Sequence, residues 1–123
     1  MRALIVDDSR TMRSILKRQL AELGFAEIFE ACDGVEALRV LDAIAVPEVA
    51  LVDWNMPNMT GIELVTAVRK NDAWNHMKLV MVTTTADLAH VQRALGQGVN
   101  EYMVKPFTPQ MLSAKLVTIG VEA

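Results

Sequence analysis

Apolar residues in this chain come in two arrangements that alternate five times. Short continuous runs stand at Leu4-Ile5-Val6, Ile28-Phe29, Val49-Ala50-Leu51-Val52, Leu79-Val80-Met81-Val82 and Tyr102-Met103-Val104. Continuous runs are expected of parallel strands covered on both faces. The Ile28 segment is the most polar of the five and suits an edge strand. Between the runs, apolar residues recur with helical spacing. Met12, Ile15, Leu16, Leu20 and Leu23 form one stripe, with Arg10, Arg13 and Lys17 on another face. Leu38, Leu41 and Ile44 form the second stripe, and Leu64, Val65 and Val68 the third. Leu88, Val91 and Leu95 form the fourth, and Met111, Leu112, Leu116 and Ile119 the last.

Punctuation residues agree with this division. Gly24 follows the first helical stretch. Asp33 with Glu36 and Thr60 with Glu63 have capping-box spacing. Thr108-Pro109 reads as an N-cap followed by proline at the first helical position. The pattern is therefore an α/β fold of (βα)₅ type. Right-handed crossovers give it an open, doubly wound parallel sheet with helices on both faces. In such sheets ligands bind beyond the C-terminal ends of the strands, where strand order reverses.

Composition narrows the picture in three ways. At 123 residues, 52% of them apolar, the chain is expected to form one domain over residues 1–123 that needs no covalent staple. No apolar run approaches the ~18 residues of a membrane span, and the N-terminus lacks the length and cleavage site of a signal peptide. Cys32 is the only cysteine, so no internal disulfide is possible; beside Ala31 it reads as a small buried hydrophobe in a cytoplasmic protein. A net charge of −3 without a basic block gives no electrostatic support for nucleic-acid binding.

The strand ends carry the chemistry. Asp7 and Asp8 follow the first run, Asp53 the third, Thr83 the fourth and Lys105 the fifth. Two ionised carboxylates ~4 Å apart repel by about 4 kcal/mol at an effective dielectric of ~20. Three of them together need a metal, an ammonium or a proton. A few hard oxygen ligands suit Mg²⁺, which keeps several waters and shares positions with phosphate oxygens; Mn²⁺ is the alternative ion. A carboxylate also serves as nucleophile in phosphoryl transfer, giving an aspartyl phosphate. That reaction asks chiefly for positioning and charge neutralisation. The bland reading makes Asp8 or Ser9 an N-cap, with Asp7 and Asp53 as solvated turn acids. The convergence of all five groups on one sheet edge favours function. His76 and His90 sit among polar residues and read as solvated side chains rather than ligands.

The segments Val6-Asp7-Asp8-Ser9, Val52-Asp53-Trp54-Asn55-Met56-Pro57, Val82-Thr83 and Val104-Lys105-Pro106-Phe107 resemble receiver domains of two-component response regulators. The likeness is greatest to the single-domain, CheY-like type and covers essentially the whole chain. It implies the strand order 2-1-3-4-5. It also implies that Asp53 is phosphorylated, and that Asp8, Asp53 and the main-chain carbonyl of Asn55 bind Mg²⁺, with Asp7 helping through water. Thr83 and Lys105 would contact the phosphoryl group, Tyr102 would be the switch aromatic, and a cis peptide would precede Pro106. Thr84 stands where the family commonly has alanine or another small residue. With Asn55 and Thr85 it falls among positions that tune dephosphorylation.

The resemblance further implies a signalling module rather than an enzyme, phosphorylated by a histidine kinase or a histidine phosphotransfer protein. Its downstream protein target, a flagellar motor switch or another effector, would bind the face of the fourth helix, fifth strand and fifth helix. That face includes Val91, Leu95, Tyr102, Val104 and Lys115. The basic stripe of Arg10, Arg13 and Lys17 reads as a solvated face, with docking of an acidic phosphodonor as the sharper alternative. Rival readings are a pseudo-receiver scaffold that acts unphosphorylated, a haloacid-dehalogenase-type phosphatase and a flavin-binding flavodoxin-like protein. The phosphatase needs Asp-x-Asp where this chain has Asp7-Asp8-Ser9, and the flavin reading would set two acids against a phosphate. The short tail after the last helix speaks against a fragment of a longer regulator.

Overall fold

The computed structural model describes residues 1–85 and 87–122; Ala86 and Ala123 lie outside it. Among the described residues, five strands alternate with five helices: β1 Arg2–Val6, α1 Arg10–Glu22, β2 Glu27–Ala31, α2 Gly34–Ala43, β3 Val49–Val52, α3 Gly61–Arg69, β4 Lys78–Thr83, α4 Leu88–Gly96, β5 Glu101–Val104 and α5 Pro109–Thr118. One 3₁₀ turn, Asp72–Trp74, joins α3 to β4. The sheet is wholly parallel in the order β2-β1-β3-β4-β5. This is the 2-1-3-4-5 order expected, with the polar β2 at one edge.

Strand residues alternate between two cores, as a pleated sheet covered on both faces requires. Leu4, Val6, Ala50, Val52, Leu79 and Met81 face α2, α3 and α4, meeting Ala37, Leu41, Leu64, Val65, Val68 and Ala94. Ala3, Ile5, Val49, Leu51, Val80, Val82 and Met103 face α1 and α5, meeting Leu16, Leu20, Leu112 and Leu116. Among the described residues no helix is long and apolar enough to cross a membrane.

The helix ends follow the sequence closely. Ser9 caps α1 by accepting from the Met12 amide, and Thr108 caps α5 with Pro109 in its first turn. Thr60 and Glu63 form a complete capping box. Asp33 accepts from the Glu36 amide, but Glu36 does not return to Asp33. Its carboxylate accepts instead from the Cys32 amide and lies 3.4 Å from the Cys32 thiol. Cys32 is accordingly only half-buried, and Ala31 is the small residue that fills the core.

The fourth stripe is displaced from its expected position. Leu88 is 70% exposed and Leu95 is exposed, whereas Ala94 is fully buried and Val91 half-buried. The inward face of α4 is therefore Val91 with Ala94, a spacing of i, i+3. A small residue there lets the helix approach the sheet, and a stripe of large apolar side chains does not mark it. In α5, likewise, Leu112 and Leu116 are buried while Met111 is exposed. Ala94→Leu is expected to cost about 1–3 kcal/mol by overpacking, and Leu88→Gln less than about 0.5 kcal/mol, measured by urea denaturation.

Candidate metal and phosphoacceptor site

The order β2-β1-β3 makes the C-terminal ends of β1 and β3 the point where the chain reverses direction across the sheet. Val6 pairs with Val52, so the residues that follow them emerge side by side. The Asp53 amide donates to the Val6 carbonyl at 2.9 Å, and the Asp7 amide to the Ala31 carbonyl at 3.1 Å. Asp7, Asp8 and Asp53 each present a carboxylate oxygen within 4.8 Å of the others. Asp7 is 2% exposed and Asp53 9%, whereas Asp8 is open to solvent. Ser9 rather than Asp8 caps α1, and Asp7 Oδ1 accepts from the Ser9 amide at 2.8 Å. The three acids are therefore not serving as helix caps.

Lys105 reaches across from the end of β5. Its Nζ lies 2.8 Å from Asp7 Oδ2 and 3.5 Å from Asp53 Oδ2, and its amide donates to the Thr83 carbonyl at 2.9 Å. Thr83 is fully buried at the end of β4. The Lys105–Pro106 peptide is cis, as the resemblance implies.

Burial, followed by the charge of Asp7, pushes the Asp53 carboxyl above the usual carboxylate range, and Lys105 offsets only part of this. Three carboxylates against one ammonium leave two negative charges at the sheet edge, which one divalent cation balances. The donors are all hard oxygens, and the exposed Asp8 leaves a side open to water. These features fit Mg²⁺ or Mn²⁺.

Asn55 and Thr84 are exposed and Thr85 is half-buried. The Thr85 carbonyl accepts from the Tyr102 hydroxyl at 2.5 Å. Tyr102 is buried against the core on the α2–α4 side of the sheet, and that burial raises its phenol above the ordinary range.

Comparison with known proteins agrees with this geometry. Residues 3–117 match the family described as response regulator receiver domain. The chain belongs to that family. It is 48% identical to the chemotaxis protein CheY1 of Helicobacter pylori over 119 residues, covering 97% of this chain and 96% of that protein. It is 49% identical to the chemotaxis protein CheY homolog of Campylobacter jejuni over 116 residues, 94% and 89% of the two chains. The solved structure of Vibrio cholerae CheY4 superposes with a TM-score of 0.89 at 34% identity, covering 96% and 97%.

Several residues of this receiver do more than their sequence context signals. Arg13, read as part of a basic stripe, donates Nη1 to the Asp7 carbonyl at 2.8 Å and Nε to Glu30 at 3.3 Å. Lys17 also lies 3.6 Å from Glu30, so an acid on β2 partly neutralises the stripe. His90 is not simply solvated: its ring meets the buried Trp54 edge-on at 4.7 Å, and Arg93 stands 5.9 Å over the same indole. Lys115 pairs with Glu101 at 3.3 Å. Gly61 packs directly on the Asp53 backbone; its place after the capping threonine was the available signal.

Proposed function

We propose that the protein is a phosphoacceptor signalling switch in which Asp53 takes a phosphoryl group from a phosphohistidine donor, as part of one receiver domain spanning residues 1–123. The observation that supports it most is the meeting of Asp7, Asp8 and Asp53 with Lys105 beside the buried Thr83. Asp8, Asp53 and the Asn55 carbonyl would hold Mg²⁺, with Asp7 acting through water; the ion would supply positive charge to the phosphoryl oxygens.

Asp53 is the nucleophile, as the resemblance to receiver domains implies, with its carboxylate 3.5 Å from the Lys105 ammonium. One carboxylate oxygen forms the O–P bond as the P–N bond of the donor breaks, and the leaving imidazole takes up a proton. Lys105 neutralises charge on the transferred group, and the Thr83 hydroxyl donates a hydrogen bond to it. Thr83 drawn toward the phosphoryl group would move the β4–α4 loop, to which Tyr102 is tied through the Thr85 carbonyl. The α4–β5–α5 face would then change its affinity for a target protein. Its exposed Leu88 and Leu95 are apolar residues available to such a partner.

The donor is a histidine kinase or histidine phosphotransfer protein. Chemotaxis is the pathway suggested by the CheY relatives, and the cytoplasm is the matching compartment. The module assists its own phosphorylation and dephosphorylation, and Asn55, Thr84 and Thr85 set the lifetime of the adduct.

Intact mass after incubation with a small-molecule phosphodonor and Mg²⁺ tests this reading. A single phosphoryl adduct is expected, absent in Asp53→Asn and in chelator. A folded, metal-bound wild type that stays unmodified with both a small-molecule and a phosphohistidine donor overturns it.

A further inference from the structure

The loop from Asp53 to Thr60 carries the Asn55 carbonyl; Met56 is buried in the core, but the loop's hydrogen bonds to the rest of the fold lie mainly at its ends. Asp53 bonds to Val6, and the Gly61 amide donates to the Trp54 carbonyl at 2.8 Å. Between these anchors, Met59 donates only to Pro57 within the loop itself. Among the described residues, the one hydrogen bond from positions 55–58 to another element runs from Asn58 Nδ2 to Asp33 Oδ2, at 2.8 Å.

Both partners are held in place. Asn58 has a φ of 67°, a conformation that asparagine tolerates better than most residues. Asp33 is 8% exposed, and its other oxygen accepts from the Glu36 amide at the start of α2. The hydrogen bond accepted from the Glu36 main-chain amide, then that accepted from Asn58, holds the Asp33 carboxyl below the usual carboxylate range, so it is an ionised acceptor with both oxygens engaged. Beside this contact, Met59 lies so close to Gly34 that a Cβ there would stand 2.7 Å from its side chain.

A main-chain ligand can be aimed only through the dihedrals of its loop. We infer that Asp33 is a positioning residue for the divalent-cation site, acting through Asn58 to fix the direction of the Asn55 carbonyl. The inference rests on the phosphoacceptor reading above and goes beyond it. Neither Asp33 nor Asn58 is among the residues that would hold the ion; they link the start of α2 to the loop that carries Asn55. Outer partners that orient a ligand commonly change metal affinity about 10–100-fold when removed. The effect through a loop belongs at the lower end.

The test is a Mg²⁺ titration of the full chain, read by Trp54 fluorescence and by calorimetry. Buried Trp74, in the 3₁₀ turn before β4, gives a constant background. Asn58→Gly keeps the positive φ and deletes the amide; Asp33→Ser keeps an N-cap and deletes the reach to Asn58. Each is expected to weaken Mg²⁺ about tenfold, and the double variant no further. Asn58→Asp alone sets two carboxylates together and should weaken it more. Combining it with Asp33→Asn restores a hydrogen bond of opposite polarity at unchanged net charge, and should bring affinity back to within about threefold of wild type.

Melting curves in chelator confirm that each variant is folded, and Asn58→Gly carries the test should Asp33→Ser fail to fold. Wild-type affinity in both single variants, multiplying losses in the double, or no recovery in the exchanged pair overturns the inference alone. A wild type that takes no Mg²⁺ overturns the phosphoacceptor reading, and this inference with it.

Discussion

Gly61→Ala is expected to lower stability by about 3 kcal/mol or more, and to abolish high-affinity Mg²⁺ binding in whatever fraction remains folded. A Cβ at Gly61 would stand 2.1 Å from the Asp53 carbonyl oxygen and 2.9 Å from both the Asp53 carbonyl carbon and the Trp54 Cα. All three are backbone atoms, so no side-chain rotation relieves the contact. The first turn of α3 would have to lift from the loop, breaking the hydrogen bond from the Gly61 amide to the Trp54 carbonyl. Alternatively, Asp53 would be driven from its place beside Asp7 and Lys105. Gly96→Ala is the control. Nothing lies within 4 Å of a Cβ there, and the residue ends α4, so alanine should be neutral or stabilise by up to about 1 kcal/mol. Urea denaturation of the two variants reads the difference. A Gly61→Ala protein as stable as the Gly96→Ala control would mean that α3 does not rest on the phosphoacceptor backbone.

Much of this fold and site could be read from the chain because its signals are local. Five continuous apolar runs became five parallel strands, and the acids, hydroxyl and ammonium that end four of them became neighbours at one edge. That outcome follows from topology: parallel strands bring their C-terminal ends to the same side, so residues far apart in sequence meet without any long-range signal. What escaped the reading depends on which element lies opposite. Leu88 and Leu95 have helical spacing with Val91, but the α4 side that approaches the sheet is chosen by Ala94, whose small size permits the contact. Cys32 follows a buried alanine, yet Glu36 turns back toward it and leaves it half-exposed. Arg13 and Lys17 read as one face of a helix, with no hint that Glu30 of the edge strand stands against them. Gly61 and the Asp33–Asn58 bond are close approaches between α2, α3 and the β3–α3 loop. No periodicity records such contacts. The resemblance to receiver domains reached the strand-end motifs; the supports behind them became apparent only in three dimensions.

Without metal, the same site should make the protein less stable as pH rises, and two substitutions should act in opposite directions. Burial raises the Asp53 carboxyl above its unfolded value of 3.8, with Asp7 adding to the rise and Lys105 opposing it. A raised folded pKa means that the native state holds its proton more tightly than the unfolded chain. The associated stability is present in full below about pH 3.8 and is lost as pH climbs through the folded value. Asp53→Asn carries no such charge and keeps a polar side chain of similar size. In chelator at neutral pH it is expected to exceed wild type in stability, the gap closing as pH falls toward 3.8. Lys105→Met removes the ammonium 2.8 Å from Asp7 and 3.5 Å from Asp53, leaving two enclosed carboxylates facing each other. It is expected to cost about 2–4 kcal/mol at neutral pH and much less near pH 3.8. Adding Mg²⁺ should recover part of that loss in Lys105→Met, because the cation supplies the missing positive charge. It should do far less for Asp53→Asn, which has lost a ligand. Denaturation curves at several pH values, with and without Mg²⁺, separate these outcomes. If both variants track wild type at every pH, the three acids do not share one electrostatic site, and the divalent-cation reading falls with them.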